Sequence, residues 1–216
     1  MTKTSKFLLL IATALFAPVL CWAGMTFELG NNPQPNEENV LLNSGMTGNL
    51  VTGTTNQTGT TVNFTSTQTL TEPSSGQARI EATNGSGQVG LTNVSFSLAS
   101  GSFEDTIFNP FIGGTIGTPG GAATVTAVAN DGTFTFTYTL GNGNNFLTIF
   151  ATGGESIESV SLSYSLPAGF TDLRQVRISG AVAGVPDSGA TLILLGASML
   201  ALALLRPAAR AKFRKA

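Results

Sequence analysis

The sequence predicts an all-β protein, and three observations support this prediction. Residues 24–184 contain many short runs in which apolar and polar residues alternate, which is the period of a half-buried strand. Gly, Asn, Asp, Ser and Pro separate these runs, and Gly alone accounts for 26 of the 216 residues. The same segment shows almost no helical periodicity. About ten or more short strands favour a two-sheet β-sandwich, of which the jelly roll is one form.

The chain begins with the features of a secretory signal peptide. Two lysines precede an apolar run at 7–20, and the small residues Cys21 and Ala23 stand three and one positions before a cut between Ala23 and Gly24. Signal peptidase is therefore expected to remove residues 1–23. Because Cys21 is the one cysteine of the chain, the mature protein would contain neither a thiol nor a disulfide.

The strongest alternation in the predicted domain indicates a hairpin between residues 124–130 and 133–140. Asp131-Gly132 between them is a strong signal for a two-residue loop. Such a loop places small residues opposite large ones on one core-facing side of the hairpin and threonines on the other side. The predicted pairs are Ala129 with Phe134, Ala127 with Phe136, and Val125 with Tyr138.

Five further alternating sets predict core-facing strand positions. Residues 146–150 are apolar on both faces, which predicts a central or doubly covered strand. The polar segments 43–61 and 73–90 are expected to be mainly loops or edges. Phe108 and Phe111 are placed in a loop that either caps one end of the sandwich or forms an exposed patch. The five sets are Val62 and Phe64; Ala78, Ile80 and Ala82; Val94, Phe96 and Leu98; Val160, Leu162, Tyr164 and Leu166; and Val176 and Ile178.

The C-terminal segment 185–216 combines a short motif, an apolar run and a basic end. The motif is Val185-Pro186-Asp187-Ser188-Gly189, and the apolar run covers 190–205. As a helix this run would rise about 24 Å, which spans the ~30 Å hydrocarbon core of a bilayer only marginally. The basic residues after it would hold the C-terminus on the cytoplasmic side. They are Arg206, Arg210, Lys212, Arg214 and Lys215.

This arrangement closely resembles the C-terminal sorting domain of the VPDSG-CTERM type, a variant of the PEP-CTERM signals, with residues 185–189 matching the motif letter for letter. The resemblance implies an inner-membrane precursor that an exosortase processes in a double-membrane bacterium. A plain C-terminal membrane anchor is the alternative. Residues 53–57, 75–82 and 172–180 are also similar to runs in PEP-CTERM surface proteins. That similarity implies a β-sandwich exported to the cell surface or extracellular matrix.

Composition limits the chemistry that the predicted ectodomain, residues 24–184, can perform. It contains eleven Asp and Glu residues and three arginines, a net charge of −8, whereas the whole chain carries −2. So acidic a surface repels nucleic acid, which is therefore not an expected partner. The chain has no histidine, which excludes Ser-His-Asp and Cys-His nucleophile systems and nearly all zinc sites. No cofactor is expected.

Three functions stay open at this point, and the first is favoured. It is that of a non-catalytic component of the cell surface or of an exopolysaccharide matrix. The second is a glycan- or calcium-binding module, with Phe108 and Phe111 as the loop aromatics. The third and least favoured is a glycosidase using Glu37-Glu38 or Glu104-Asp105, because neighbours on a strand point to opposite faces. The candidate calcium ligands, none with calcium-loop spacing, are Glu104, Asp105, Asn109, Asn130 and Asp131.

Overall fold

The computed structural model describes residues 24–43, 45–73 and 75–182, and over this part of the chain it confirms the all-β prediction. The described residues form fourteen strands and no helix, so none of their segments could cross a membrane as a helix. The predicted signal peptide 1–23 and sorting domain 185–216, with its helix 190–205, lie outside the described residues. The strands are β1 (Gly24–Leu29), β2 (Glu38–Leu42), β3 (Thr47–Thr55), β4 (Thr61–Thr71), β5 (Gly76–Gln77), β6 (Arg79–Thr83), β7 (Gln88–Val89), β8 (Asn93–Leu98), β9 (Asp105–Phe111), β10 (Ala122–Ala129), β11 (Gly132–Thr139), β12 (Leu147–Thr152), β13 (Ile157–Tyr164) and β14 (Asp172–Ser179).

The core includes the alternating apolar positions that the sequence predicts, together with residues outside those sets, such as Leu91, Phe103 and Phe170. Leu166, the last member of its set, follows the end of β13 and packs partly buried against this core. Removing these side chains from water is the main favourable contribution to the stability of a domain without disulfides. The buried members of the five sets are Val62, Phe64, Ala78, Ile80, Ala82, Val94, Phe96, Leu98, Val160, Leu162, Tyr164, Val176 and Ile178.

Eleven of the strands follow one another in a single hydrogen-bonded ladder, in the order β1-β12-β9-β14-β2-β3-β4-β8-β13-β10-β11. The pairings are antiparallel. β6 pairs with both β14 and β4, which closes β2, β3, β4, β6 and β14 into a small five-stranded barrel. One arm of the ladder leaves this barrel through β9, and the other leaves it through β8.

Aromatic side chains connect the two arms of the ladder. Phe96 on β8 packs edge-on against Phe108 on β9, with ring centroids 5.5 Å apart. Phe27 on β1 stacks on Phe136 on β11 at 5.4 Å. Because β1 and β11 are the two ends of the ladder, this contact means that the ladder folds back on itself around the core.

The β10–β11 hairpin forms, but its predicted register is wrong. Ala129 pairs with Gly132, so the two-residue loop is Asn130-Asp131 instead of Asp131-Gly132. The reason lies outside the hairpin: the Asn130 amide donates to the Ser156 carbonyl, and the Ser156 amide donates to the Asn130 side chain at 2.8 Å. These contacts hold Asn130 against the segment that precedes β13, so it does not pair with β11.

The shift moves every predicted pair by two residues and therefore keeps each side chain on its predicted face. The threonines of β11 are exposed, as predicted, but Phe134, Phe136 and Tyr138 are only half-buried. They lie on the core-facing side as predicted, and their burial is incomplete because β11 is the last strand of the ladder. The observed pairs are Ala127 with Phe134, Val125 with Phe136, and Ala123 with Tyr138.

The segments 43–61 and 73–90, predicted to be mainly loops or edges, contribute strands to the five-stranded barrel. The first contains β3, whose nine residues lie between β2 and β4, and the second contains β6. β3 shows little alternation of apolar and polar side chains, and Gly53 interrupts it for a steric reason. A Cβ at this position would lie 2.8 Å from the Leu41 carbonyl oxygen and from two core side chains, so the close approach of the backbones requires glycine.

The predicted loop at Phe108 and Phe111 is also wrong, because both residues belong to β9. Phe108 is fully buried, and Phe111 lies half-buried at the end of the strand. Pro110 pairs with Leu173 of β14, but β12 pairs with β9 only as far as Phe108. Proline is tolerated here because no neighbouring strand pairs with it on the second side.

The prediction of a doubly covered strand at residues 146–150 is confirmed for its middle. Leu147, Thr148 and Ile149 are fully buried on β12, which pairs with β1 on one side and β9 on the other. Phe146 and Phe150 are half-buried.

Candidate functional site

A groove of about 790 Å³ lies beside β1 and the end of β12, and three acidic side chains line it. Residues of the segment between β1 and β2 form one wall, and the starting residue of β9 and the last residue of β14 form another. Oxygen atoms therefore reach it from distant parts of the chain. Its carboxylate and hydroxyl side chains are Glu28, Glu104, Asp105, Thr26, Thr152 and Ser179.

Asp105 is the most unusual group in this groove. It is only 7% exposed, and its Oδ2 accepts a hydrogen bond from the Ser179 hydroxyl. Its Oδ1 is buried and has no hydrogen-bond partner among the described residues. Burial raises the pKa of Asp105 to about 6, the Ser179 hydrogen bond opposes this rise, and the nearby Glu37 and Glu104 add to it. An unpartnered buried carboxylate costs stability when it is ionised.

Two neighbouring carboxylates differ from Asp105 in how they are held. Glu104 is exposed, and its side chain lies over Gly180, where a Cβ would come within 2.5 Å of Glu104 Cγ. Gly180 has a φ of 61°, so both its conformation and the contact favour glycine. Glu28 accepts a hydrogen bond from the Asn32 side chain at 3.1 Å.

The Glu37-Glu38 pair, a candidate for glycosidase chemistry, is divided between two structural roles. Glu37 forms an ion pair with Arg177 at 3.3 Å. Glu38 accepts hydrogen bonds from the Gln57 and Thr58 amides at 2.9 and 2.8 Å. Burial alone would raise the pKa of Glu38, but these amide hydrogen bonds outweigh it and lower the pKa. The two side chains therefore fix the barrel and its β3–β4 turn.

The five candidate calcium ligands do not come together. Glu104 and Asp105 line the groove, whereas Asn109 is buried and its oxygen accepts from the Asn145 amide at 2.8 Å. Asn130 and Asp131 form the β10–β11 turn, away from the groove. Burial and the nearby Asp131 raise the pKa of Glu155. Among the described residues, no group of three or more His, Cys, Asp or Glu side chains is arranged to hold a metal ion.

An ion cluster around the buried Asp172 joins two of the segments that resemble runs in PEP-CTERM surface proteins. Arg79 of β6 pairs with Arg174 of β14. Asp172 is fully buried and accepts from Arg79 Nε at 3.1 Å and from Arg174 Nη2 at 2.8 Å. The Arg174 guanidinium lies 3.7 Å from the centre of the Phe111 ring, a cation–π contact. Sequence reasoning missed this cluster because its members lie about ninety residues apart.

Phe108 and Phe111, the residues considered for sugar stacking, are engaged elsewhere, and so are both tyrosines. Phe108 is fully buried. Arg174 covers one face of Phe111, and a Cβ on Gly113 would lie 2.5 Å from its ring. Tyr164 is buried, and its hydroxyl is 2.9 Å from the Gly121 amide, which donates to it. Tyr138 donates to the Asn145 carbonyl at 3.2 Å, and burial raises the pKa of its phenol.

A second surface extends over the outward side of six adjacent strands, β3, β4, β8, β13, β10 and β11, and we call it the hydroxyl face. The strand register aligns its side chains in rows across the sheet; Thr65, Ser95, Ser161, Thr126 and Thr135 form one row. Neighbours in such a row are about 5 Å apart and successive rows about 7 Å apart. Its members are Thr52, Thr54, Thr61, Asn63, Thr65, Asn93, Ser95, Ser97, Ser159, Ser161, Ser163, Thr124, Thr126, Thr133, Thr135, Thr137 and Thr139.

The hydroxyl face differs from the rest of the acidic domain in its charge. Among the residues of its six strands, Glu158 near the start of β13 is the one charged side chain. Some hydroxyls bond across strands, as Thr124 and Thr137 do at 3.3 Å. Such hydroxyls retain further donor and acceptor capacity toward solvent or a partner.

Compared with known proteins, the chain matches no family model, no curated protein and no solved structure.

Proposed function

We propose that this protein is an exported, non-catalytic component of the cell surface or of an exopolysaccharide matrix. The observation that carries the proposal is the hydroxyl face. In this proposal the two arms of the ladder are the two sheets of a β-sandwich, which the five-stranded barrel joins. Signal peptidase cuts between Ala23 and Gly24, and an exosortase processes the motif at 185–189.

The chemistry of the hydroxyl face fits a neutral, polyhydroxylated polymer. Each Ser and Thr hydroxyl donates one hydrogen bond and accepts others, as a sugar hydroxyl does. Individual contacts of this kind contribute only about 0.5–1.5 kcal/mol, but a polymer can engage many of them at once. The near absence of charge on this face, in a domain with a net charge of −8, avoids repulsion of polymers that carry acidic groups.

Charges introduced on the hydroxyl face should weaken binding to the polymer. We expect Thr137→Glu with Ser161→Glu to reduce co-sedimentation with the host exopolysaccharide by about tenfold, because each carboxylate must lose water at the contact. The matched control is Ser86→Glu with Gly87→Glu, in the exposed loop between β6 and β7, which adds the same charge elsewhere. Equal loss of binding in both proteins would reject the hydroxyl face as the contact surface.

The sorting proposal rests on the order of motif, apolar run and basic end. Retention of the precursor in the inner membrane requires only hydrophobicity and cytoplasmic charge, whereas processing requires a recognised motif. Pro186→Ala with Asp187→Ala should therefore leave export and insertion intact while a longer, membrane-bound form accumulates on immunoblots. A fusion of residues 185–216 to an exported reporter serves as the control, and it should be processed only in a host that has an exosortase. If the double variant matured normally, the sorting function of segment 185–216 would be rejected, and the segment would be a membrane anchor only.

A second candidate function is divalent-cation binding in the acidic groove. The observation that favours it is the buried, unpartnered Oδ1 of Asp105, a residue that lines a groove with several hydroxyl oxygens. Calcium prefers such oxygen ligands. In this alternative, a bound ion would compensate an ionised Asp105 and bridge the domain to acidic polymers.

Asp105 should make the protein less stable at neutral pH in the absence of such an ion. Its pKa is about 6 in the folded protein and close to 3.9 when unfolded, so folding takes up a proton between these values. The free energy of unfolding therefore falls as the pH rises from about 4 to 6, by on the order of 3 kcal/mol. Asp105→Asn should remove this loss and raise stability at pH 7, as measured by urea unfolding at several pH values.

The control for this prediction is Glu158→Gln, an exposed residue of β13 that does not line the groove, which should leave the dependence of stability on pH nearly unchanged. An Asp105→Asn protein with the wild-type profile would contradict the role assigned to Asp105. The same two variants test the cation: added calcium should raise the melting temperature of the wild type at pH 7, and Asp105→Asn should abolish that rise. No calcium effect in the wild type would eliminate this second candidate.

A further inference from the structure

β11 ends the ladder with an edge to which no described strand is hydrogen-bonded. It pairs with β10 on one side, and no described strand pairs with it on the other. Its eight residues contain no charge and no proline, and its pairing with β10 has no bulge. Charged side chains, prolines and bulges are the features that usually protect an exposed edge. β1, at the other end of the ladder, is shorter and carries Glu28.

The hairpin register identifies the backbone groups at this edge. Ala129 and Gly132 flank the two-residue loop, and in such hairpins the flanking pair exchanges hydrogen bonds, as does every second pair after it. Phe134, Phe136 and Tyr138 therefore bond to β10. The amides and carbonyls of the threonines between them point away from β10, toward the open edge.

The sequence of β11 is symmetric about its fifth residue, Phe136. From Thr133 to Thr139 threonine alternates with an aromatic residue, so the strand has the same pattern in both directions. The aromatic side chains form a continuous row in which Phe136 stacks on Tyr138 with centroids 5.8 Å apart. They are only half-buried, which leaves apolar surface that one more strand would cover.

We propose that the occupant of this edge is β11 of a second copy of the chain, added antiparallel about a two-fold axis at Phe136. Such an interface joins the same surface of both copies. The axis places Thr135 opposite Thr137 of the second copy and Phe136 beside Phe136 of the second copy. Threonines whose main-chain amides and carbonyls point to the open edge then lie opposite each other in the two copies. The two aromatic rows join on one side of the continued sheet.

The charge distribution favours a second copy as the occupant. The predicted ectodomain carries eleven acidic and three basic residues, so most surfaces of two copies repel each other. β11 carries no charge. Its alternation of threonine and aromatic residues and its free main-chain groups match those of a second, antiparallel β11. This dimer is independent of any polymer bound to the hydroxyl face, because the main-chain edge forms it.

Blocking the edge without disturbing the hairpin tests the proposal. In Thr135→Pro the lost amide is one that points away from β10, so no main-chain hydrogen bond to β10 is removed. The weak hydroxyl contact between Thr135 and Thr126, at 3.5 Å, is lost in Thr135→Pro and in the valine control alike. We expect the dissociation constant of the dimer to rise about tenfold or more, because two hydrogen bonds are lost across the axis. The control, Thr135→Val, keeps the amide and the strand propensity and should remain dimeric. The measurement is sedimentation velocity of the purified full chain in detergent, with circular dichroism to monitor folding.

Cysteine cross-linking keeps the proposal falsifiable if Thr135→Pro does not fold. In a Cys21→Ser background the chain has no cysteine. A mixture of Thr135→Cys and Thr137→Cys chains should form a disulfide dimer at least fivefold more efficiently than either chain alone, because these positions lie about 5.5 Å apart across the axis. A mixture of Thr124→Cys and Thr126→Cys chains, on β10 one strand farther in, should not cross-link.

Any of three results would overturn the proposal. The first is a wild-type chain that is monomeric throughout the micromolar range. The second is equal cross-linking of the β10 and β11 mixtures. The third is a dimer whose dissociation constant is unchanged by a folded Thr135→Pro, which would assign self-association to another segment of the chain.

Discussion

Replacing Phe96 with alanine should lower the free energy of unfolding by about 3–5 kcal/mol. Phe96 is buried at the centre of the core, on a strand with neighbours on both sides, β4 and β13. Its ring contacts three other phenylalanines, with centroids 6.0 Å from Phe64, 6.4 Å from Phe103 and 5.5 Å from Phe108. Because this cluster includes residues of both arms of the ladder, the cavity left by alanine cannot close by the movement of one strand.

Phe134→Ala is the matched control for this substitution. It removes the same side chain from a strand that has a neighbour on one side only, where the ring is half-buried. The expected loss is about 1 kcal/mol, since part of the apolar surface is already in contact with water. Urea unfolding of both variants measures the difference. Equal losses would mean that the core does not lie between the two arms.

Replacing Gly90 with alanine should be at least as damaging, with a loss of about 3 kcal/mol or more. A Cβ on Gly90 would lie 1.6 Å from the Ala168 carbonyl oxygen, a distance that only a backbone displacement can relieve. Next to this contact, Leu91 and Phe170 exchange hydrogen bonds of 2.8 and 3.0 Å, and both side chains are fully buried. Separating the two segments would weaken these bonds and open the core at that end.

Gly87→Ala, three residues earlier, separates the steric effect from the general effect of removing a glycine. A Cβ at Gly87 meets no atom within 4 Å. The substitution should change the free energy of unfolding by about 0.5 kcal/mol or less, or stabilise slightly by restricting the unfolded chain. Thermal unfolding measured side by side distinguishes the two glycines, and similar melting temperatures for both variants would contradict the close approach at Gly90.

Predictions from the sequence succeeded where local alternation decides the outcome. The face that each side chain of the β10–β11 hairpin takes follows from a period of two, so it survived the wrong register. The register itself failed because Asn130 bonds to Ser156, twenty-six residues away in the chain. Turn preference is a local property, and here contacts outside the hairpin outweighed it.

The candidate site depended still less on local sequence. Glu104-Asp105 was recognised as a carboxylate pair, but the unusual environment of Asp105 comes from Ser179, seventy-four residues later, and from Glu37. No local pattern predicts that a particular aspartate becomes buried without a partner for one oxygen. The ion cluster around Asp172 likewise requires β6 and β14 to pair. Their pairing is a property of the closed barrel.

The all-β class, the inward and outward sides of most strands, the acidity of the domain and the absence of histidine follow from the amino-acid sequence without the fold. These properties depend on composition and on a period of two residues, both of which are present in any short segment. The fold was needed to establish the strand order, the barrel that closes through β6, the partners of Asp105 and the open edge of β11. Each of these joins residues far apart in the chain, and such contacts form only when the complete core is buried, because the free energy that stabilises them is shared by all the strands.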